Sequence, residues 1–69
     1  MRISARNQLQ ATVSVVTHGE VMSTVKATLG DGQTITAAIT KESVADLELA
    51  PGDKVIVVIK STEVMLAKE

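Results

Sequence analysis

Apolar and polar residues alternate along most of the first forty positions, and then the period changes. From Leu9 onward, Leu9, Ala11, Val13 and Val15 fall on one side and Gln8, Gln10, Thr12 and Ser14 on the other. That period of two predicts a half-buried strand. Thr17-His18-Gly19-Glu20 supplies a turn. A second strand follows, with Val21, Ser23, Val25, Ala27 and Leu29 facing one way and Met22, Thr24, Lys26 and Thr28 the other. Gly30-Asp31-Gly32 is a hairpin signal, because Asp-Gly tolerates the positive φ that such turns require. The third strand, Gln33 to Ile39, places Ile35, Ala37 and Ile39 inward. Three strands joined by short turns make an antiparallel meander.

Beyond Thr40 the pattern is helical. Thr40 is a good N-cap, and Lys41 to Leu47 can form a short helix with Val44 and Leu47 on one side. Ala50-Pro51-Gly52-Asp53 reads as a turn. Lys54 to Ile59 is apolar on both faces, which predicts a central strand whose second cover comes from another subunit. Lys60-Ser61-Thr62 interrupts that run, and Glu63 to Ala67 resumes it as a short last strand. The order β-β-β-α-β-β predicts an all-β fold: a five-stranded OB-like Greek-key barrel with one short helix between strands three and four. Residues 1–69 are expected to form a single domain.

Composition sharpens this picture. The chain has 69 residues, no Cys, one His and no aromatic residue. A domain of this size buries only about 60% of its unfolded surface. Its core must be built without the ~150–250 Å² that each aromatic side chain contributes. Below about 80 residues a chain needs a staple. Disulfides are excluded and one His argues against structural zinc, so oligomerisation is the expected remedy. The net charge of −1 gives no footprint for a polyanion, and single-strand stacking platforms are missing. No nucleic-acid partner is expected. No apolar run approaches the ~20 residues of a membrane span, and Met1-Arg2-Ile3 leads at once into polar residues. The expected location is cytoplasmic, without membrane contact.

Enzyme chemistry finds little to use: no Cys nucleophile, no paired carboxylates, no Ser-His-Asp arrangement, and a His18 that belongs to a turn. What remains are three polar segments rich in hydroxyls. Ser4 to Asn7 packs a guanidinium, a hydroxyl and an amide ahead of the first strand. Thr40 to Ser43 opens the helix, where free N–H groups and the dipole favour an anion. Lys60-Ser61-Thr62 separates two apolar strands. Each has a plain structural explanation: a solvated chain end, a helix cap, an ordinary turn. Together they are an inventory for an oxyanion site built from donors, with no residue set up as a direct ligand of a metal cation.

The segments ISARNQL, AAITKESVADLEL and VIKSTEVML, in that order, resemble the molbindins, small molybdenum-pterin-binding proteins of the Mop/TOBE domain family. The resemblance covers essentially the whole chain. It implies an OB-like barrel, no catalytic activity, and a homo-oligomer, a hexamer built as a trimer of dimers. It also implies molybdate, or tungstate, bound between subunits for molybdenum storage and homeostasis. Residues matching the family's ligand motif are Ser4, Arg6 and Asn7, then Thr40, Ser43 and Val44, then Lys60 and Ser61. The family name also carries molybdopterin, for which no residue of this chain speaks. Two departures stand out. Ala11 occupies a position where family members commonly have Gly, which bears on strand curvature. Glu42 lies close to the expected anion site and must point away from it. The alternative reading is a generic OB-type interaction module binding protein or oligonucleotide.

Overall fold

The computed structural model describes residues 1–69. Its elements are β1 (Asn7–Thr17), β2 (Met22–Leu29), β3 (Thr34–Thr40), α1 (Lys41–Asp46) and β4 (Lys54–Ile59), followed by a 3-10 turn at Ser61–Glu63. The four strands form one antiparallel sheet in the order β3-β2-β1-β4. The first four expected strands and the helix are therefore present, but β4, expected to be central, is an edge strand paired only with β1. The fifth is not: Val64 onward adopts no regular element, and Met65 and Leu66 are 92% and 94% exposed. A strand needs a partner edge, and within the chain the 3-10 turn leads this segment away without one.

The core is small. Val13, Val25 and Val44 form its centre, with Val16, Ile39, Leu49 and Val55 packed around it. Only Ala11, Val13, Ser23, Val25, Ala27 and Val44 are buried. Ser23, the one buried polar residue, accepts a hydrogen bond from the Gly19 N–H at 3.4 Å. Ala11 takes its place in this core with β1 regularly paired on both sides, to Leu29 and to Val55. The methyl at the usual glycine position thus causes no irregularity.

Five facing residues differ from the period-two and helical readings, two of them Leu9 and Val21 at the strand starts, 39% and 74% exposed. A bulge between Val13 and Val15 shifts the register, so that Val16 rather than Val15 turns to the core. Val15 is 47% exposed as a result. Bulges insert one unpaired residue and reverse the facing of everything beyond it. Here the adjacent Ser14 closes the gap, its hydroxyl donating to the Lys26 carbonyl at 3.1 Å. Ala37 is exposed because β3 is an edge strand that α1 covers only in part. Leu47 is exposed because it is already the C-cap of α1, and Leu49 takes over its packing role.

Local chemistry fixes the connections. Gly32, at φ 91°, closes the β2–β3 hairpin, with its N–H donating to Leu29 O at 3.0 Å. The Asp31 carboxylate receives the Gln33 backbone N–H and side-chain amide, and these bonds hold its pKa below the ordinary value. Pro51 and Gly52, the latter at φ 96°, make the type II turn before β4, closed by Asp53 N–H to Ala50 O at 3.1 Å. The end of α1 is a Schellman motif: Leu49 N–H reaches Val44 O and Glu48 N–H reaches Ala45 O. Glu48 holds the left-handed position, φ 52°, that glycine usually takes.

The molecule is open for its size. A folded monomer of 7.3 kDa is expected to expose about 4,200 Å², whereas this chain exposes 5749 Å². Its radius of gyration is 12.7 Å, against about 11 Å for a compact chain of this length. The exposed surface includes large apolar side chains, among them Ile56 and Val58 on β4 and Val64, Met65 and Leu66 beyond the 3-10 turn.

Two substitutions test the local reading. A Cβ at Gly19 would strike the Met22 carbonyl oxygen, so Gly19→Ala should cost about 1–3 kcal/mol by forced displacement of the β1–β2 turn. Glu48→Gly relieves the left-handed strain and should raise stability by up to about 1 kcal/mol. Urea unfolding of both variants beside the parent chain checks the two signs.

Candidate functional site

The antiparallel pairing of β1 with β4 sets the first half of the site. Asn7 opposes Ile59, so the residues preceding β1 and those following β4 leave the sheet side by side. Ser4, Ala5, Arg6, Lys60, Ser61 and Thr62 line a shallow depression of about 280 Å³ at this corner. Two segments separated by more than fifty positions are thereby joined. Their charges have one sign: the lining holds a guanidinium and an ammonium and no carboxylate. None of these polar side chains takes part in a hydrogen bond within the chain. Lys60 caps the 3-10 turn through its carbonyl, which accepts the Glu63 N–H at 2.9 Å, and its side chain makes no cap bond.

Of the expected site residues, Ser4, Arg6, Lys60 and Ser61 therefore line one depression. Asn7 stands beside it as the first residue of β1 and is not part of the lining. Thr62 lines it, although the family motif does not single Thr62 out. Its position in the polar interruption between two apolar runs was the available signal.

The remaining expected residues lie elsewhere. Thr40 is the N-cap of α1, and its Oγ accepts the Ser43 N–H at 3.0 Å. The two hydroxyl oxygens are 2.8 Å apart in a mutual hydrogen bond. That bond consumes one of the two hydroxyl protons, so one O–H of the pair is left to donate outward. The Val44 side chain is 4% exposed and belongs to the core. Only its backbone could face a ligand. Glu42 is exposed in the first turn of the helix.

The two groups of residues do not meet within one chain. Thr40 pairs with Met22, at the end of the sheet where β1 finishes with Thr17 opposite Thr24. Arg6 and Lys60 lie at the other end, and β3 and β4 are the two opposite edges. Along β1 the separation from Asn7 to Thr17 is roughly 33 Å at about 3.3 Å per residue, close to the molecule's longest extent of 36 Å. The two clusters of expected residues lie at opposite poles of the sheet.

Comparison with known proteins places this geometry. Residues 3–66 match the TOBE domain. The chain is 48% identical over 67 residues to the molybdenum-pterin-binding protein MopA of Rhodobacter capsulatus, covering 97% of this chain and 25% of MopA. It therefore spans about a quarter of the length of that relative. Among solved structures, a molybdate binding protein from Sporomusa ovata superposes with a TM-score of 0.93 at 47% identity, over 99% of this chain and all of the other. The cytoplasmic molybdate-binding protein ModG, in a molybdate-bound form, matches with a TM-score of 0.85 at 43% identity, over 88% of this chain and 43% of ModG. No helix of the chain is long and apolar enough to cross a membrane.

The cap itself is open to test. Thr40→Ala removes the acceptor for Ser43 N–H and should cost about 1 kcal/mol, whereas Thr40→Ser should cost a few tenths at most. Chemical denaturation without added anion separates this structural role from any part Thr40 plays toward a ligand.

Proposed function

The chain belongs to the TOBE-domain family, in its molbindin group, and on that footing we propose that it binds molybdate between subunits. The observation that carries the reading is the depression at Ser4, Arg6, Lys60, Ser61 and Thr62. It gathers two cations and three hydroxyls without an opposing carboxylate. The Thr40–Ser43 pair and the backbone at Val44 supply the other half from a neighbouring chain, and Asn7 supports the first half from the strand start. Tungstate has the same shape and charge and is accepted alike.

The chemistry of the donor set favours this ligand. Molybdate near neutral pH is a dianion with four acceptor oxygens and no proton to donate. Hydroxyl, ammonium and guanidinium donors match it on every side. A protonated phosphate brings an O–H that faces another donor, and an unmatched polar contact of that kind costs about 1–3 kcal/mol. Sulfate is acceptor-only as well, and its smaller size leaves some donors out of reach. Binding does not alter the anion, so the protein acts as a cytoplasmic store or buffer rather than as an enzyme. The relatives are likewise described as binding proteins.

Assembly follows from the same geometry. Half-sites at opposite ends of the sheet are completed only when chains associate, and we place this chain in a homo-oligomer, a hexamer arranged as a trimer of dimers. The five-stranded OB-like barrel is then a property of the assembly, not of the isolated chain. Residues 1–69 act as one TOBE unit within it.

Ligand that binds only the folded assembly stabilises it by mass action, about 2.7 kcal/mol at a hundred times the dissociation constant. For a domain of this size that corresponds to roughly 10 °C or more in melting temperature. Molybdate should produce this shift and equal sulfate should not; the same response to both would remove the claim of selectivity. Lys60→Ala should abolish most of the molybdate shift while leaving far-ultraviolet circular dichroism unchanged. Native mass spectrometry with and without molybdate gives the number of chains and of bound ions together.

A further inference from the structure

Half of the depression at the Arg6–Lys60 corner comes from a segment that is barely tied down. Ser4, Ala5 and Arg6 precede β1, and no backbone hydrogen bond of the chain involves a residue before Asn7. One bond alone reaches back to them: the Gln8 side-chain amide donates to the Ala5 carbonyl at 2.9 Å. Only the NH2 end of that amide can donate, so the contact fixes which way the amide is turned. Gln8 is itself well anchored, since it lies within β1 and pairs with Val58 of β4. Its side chain is exposed and has no place in the core. Ala11 and Val13 are the buried residues of β1, and alternation puts Gln8 on the opposite face. Gln8 does not line the depression, whereas Ala5 does.

We propose that Gln8 is a positioning residue for the anion site, acting through Ala5 on the two donors that flank it. The bond closes a three-residue link from the strand back to Ala5, and so holds Ser4 and Arg6 on either side of it. A segment ordered before the ligand arrives spares binding that part of the entropy loss. The same bond occupies an acceptor. A free carbonyl at Ala5 would present negative partial charge to an oxyanion in a lining whose side chains are donors, and the Gln8 amide takes that charge up. The inference rests on the reading of the depression as an oxyanion site, and adds to it a residue that does not touch the ligand.

The test compares molybdate dissociation constants of the full chain, Gln8→Met and Gln8→Glu, by titration calorimetry at about pH 7.5 and about pH 4.5. Methionine keeps the length of the side chain and removes the donor. Glutamate keeps the shape, accepts only when ionised, and gains an O–H donor on protonation near pH 4.3, roughly. At the higher pH both variants should bind at least roughly three- to ten-fold more weakly than the parent, the scale of one hydrogen bond. The glutamate should lose more, because its charge also opposes the anion. Circular dichroism and particle mass should not change. At the lower pH Gln8→Glu should recover beyond Gln8→Met, each taken as a ratio to the parent at the same pH so that titration of the anion cancels. The other charged residues of the two segments, Arg2, Arg6, Lys60 and Glu63, are common to all three chains. A Gln8→Met chain that binds like the parent overturns the positioning role and leaves the anion site standing. A Gln8→Glu chain no tighter than Gln8→Met at the lower pH also overturns it, because the loss then comes from packing and not from the donated bond. A parent chain that binds no molybdate rejects the site, and the inference with it.

Discussion

Everything in this fold depends on the contact between Val13, Val25 and Val44. Three valines from β1, β2 and α1 meet at the only point where sheet and helix enclose a volume. Valine buries less surface than any aromatic side chain, and burial of one contributes about 1.5–3 kcal/mol. The meander has no second such cluster. The rest of the apolar surface, on the outer face of β4 and beyond the 3-10 turn, finds no cover within one chain. Openness is therefore a consequence of a core reduced to its minimum, and the proposed association would cover what that core leaves exposed.

The electrostatics of the Arg6–Lys60 corner follow from the same economy. Sheet register brings Arg6 and Lys60 to one depression without a carboxylate between them. Both cations are exposed in the single chain; in the proposed assembly their repulsion would grow as neighbouring chains exclude water. A doubly negative tetrahedral ligand converts that repulsion into attraction on both sides. In the proposed arrangement the anion is thus a structural component as well as cargo, and filling the sites and closing the assembly reinforce each other.

Much of the fold was legible in the sequence because its strands are short, regular and separated by strong turn chemistry. Gly30-Asp31-Gly32, Ala50-Pro51-Gly52-Asp53 and the Thr40 cap all have the structures their residues call for. The misreadings share a cause. Val15 and Val16 are adjacent valines, and only the bulge at Ser14 decides which of them faces inward. Leu47 and Leu49 compete for one place beside the core, and the Schellman turn at Glu48 gives it to Leu49. The last strand failed because pairing is a relation between segments, and period-two patterning at Val64–Ala67 cannot say whether a partner lies within reach. The polar segments of the site were visible as interruptions in apolar runs. That Ser4–Arg6 joins Lys60–Thr62, whereas Thr40 lies at the far pole, was fixed by strand register and direction, which no single segment encodes.

In the proposed arrangement, two unlike half-sites at opposite ends of the sheet have a geometric consequence. A unit whose head complements its tail can add copies without limit unless successive rotations return to the start. What decides between a closed ring and an open filament is the angle between the two poles, and that angle is carried by the curvature of a single strand. The bulge between Val13 and Val15 lies midway along that strand, and bulges bend a strand and increase its local twist. In the proposed assembly an extra residue halfway along β1 stands in the position of a joint between the two poles.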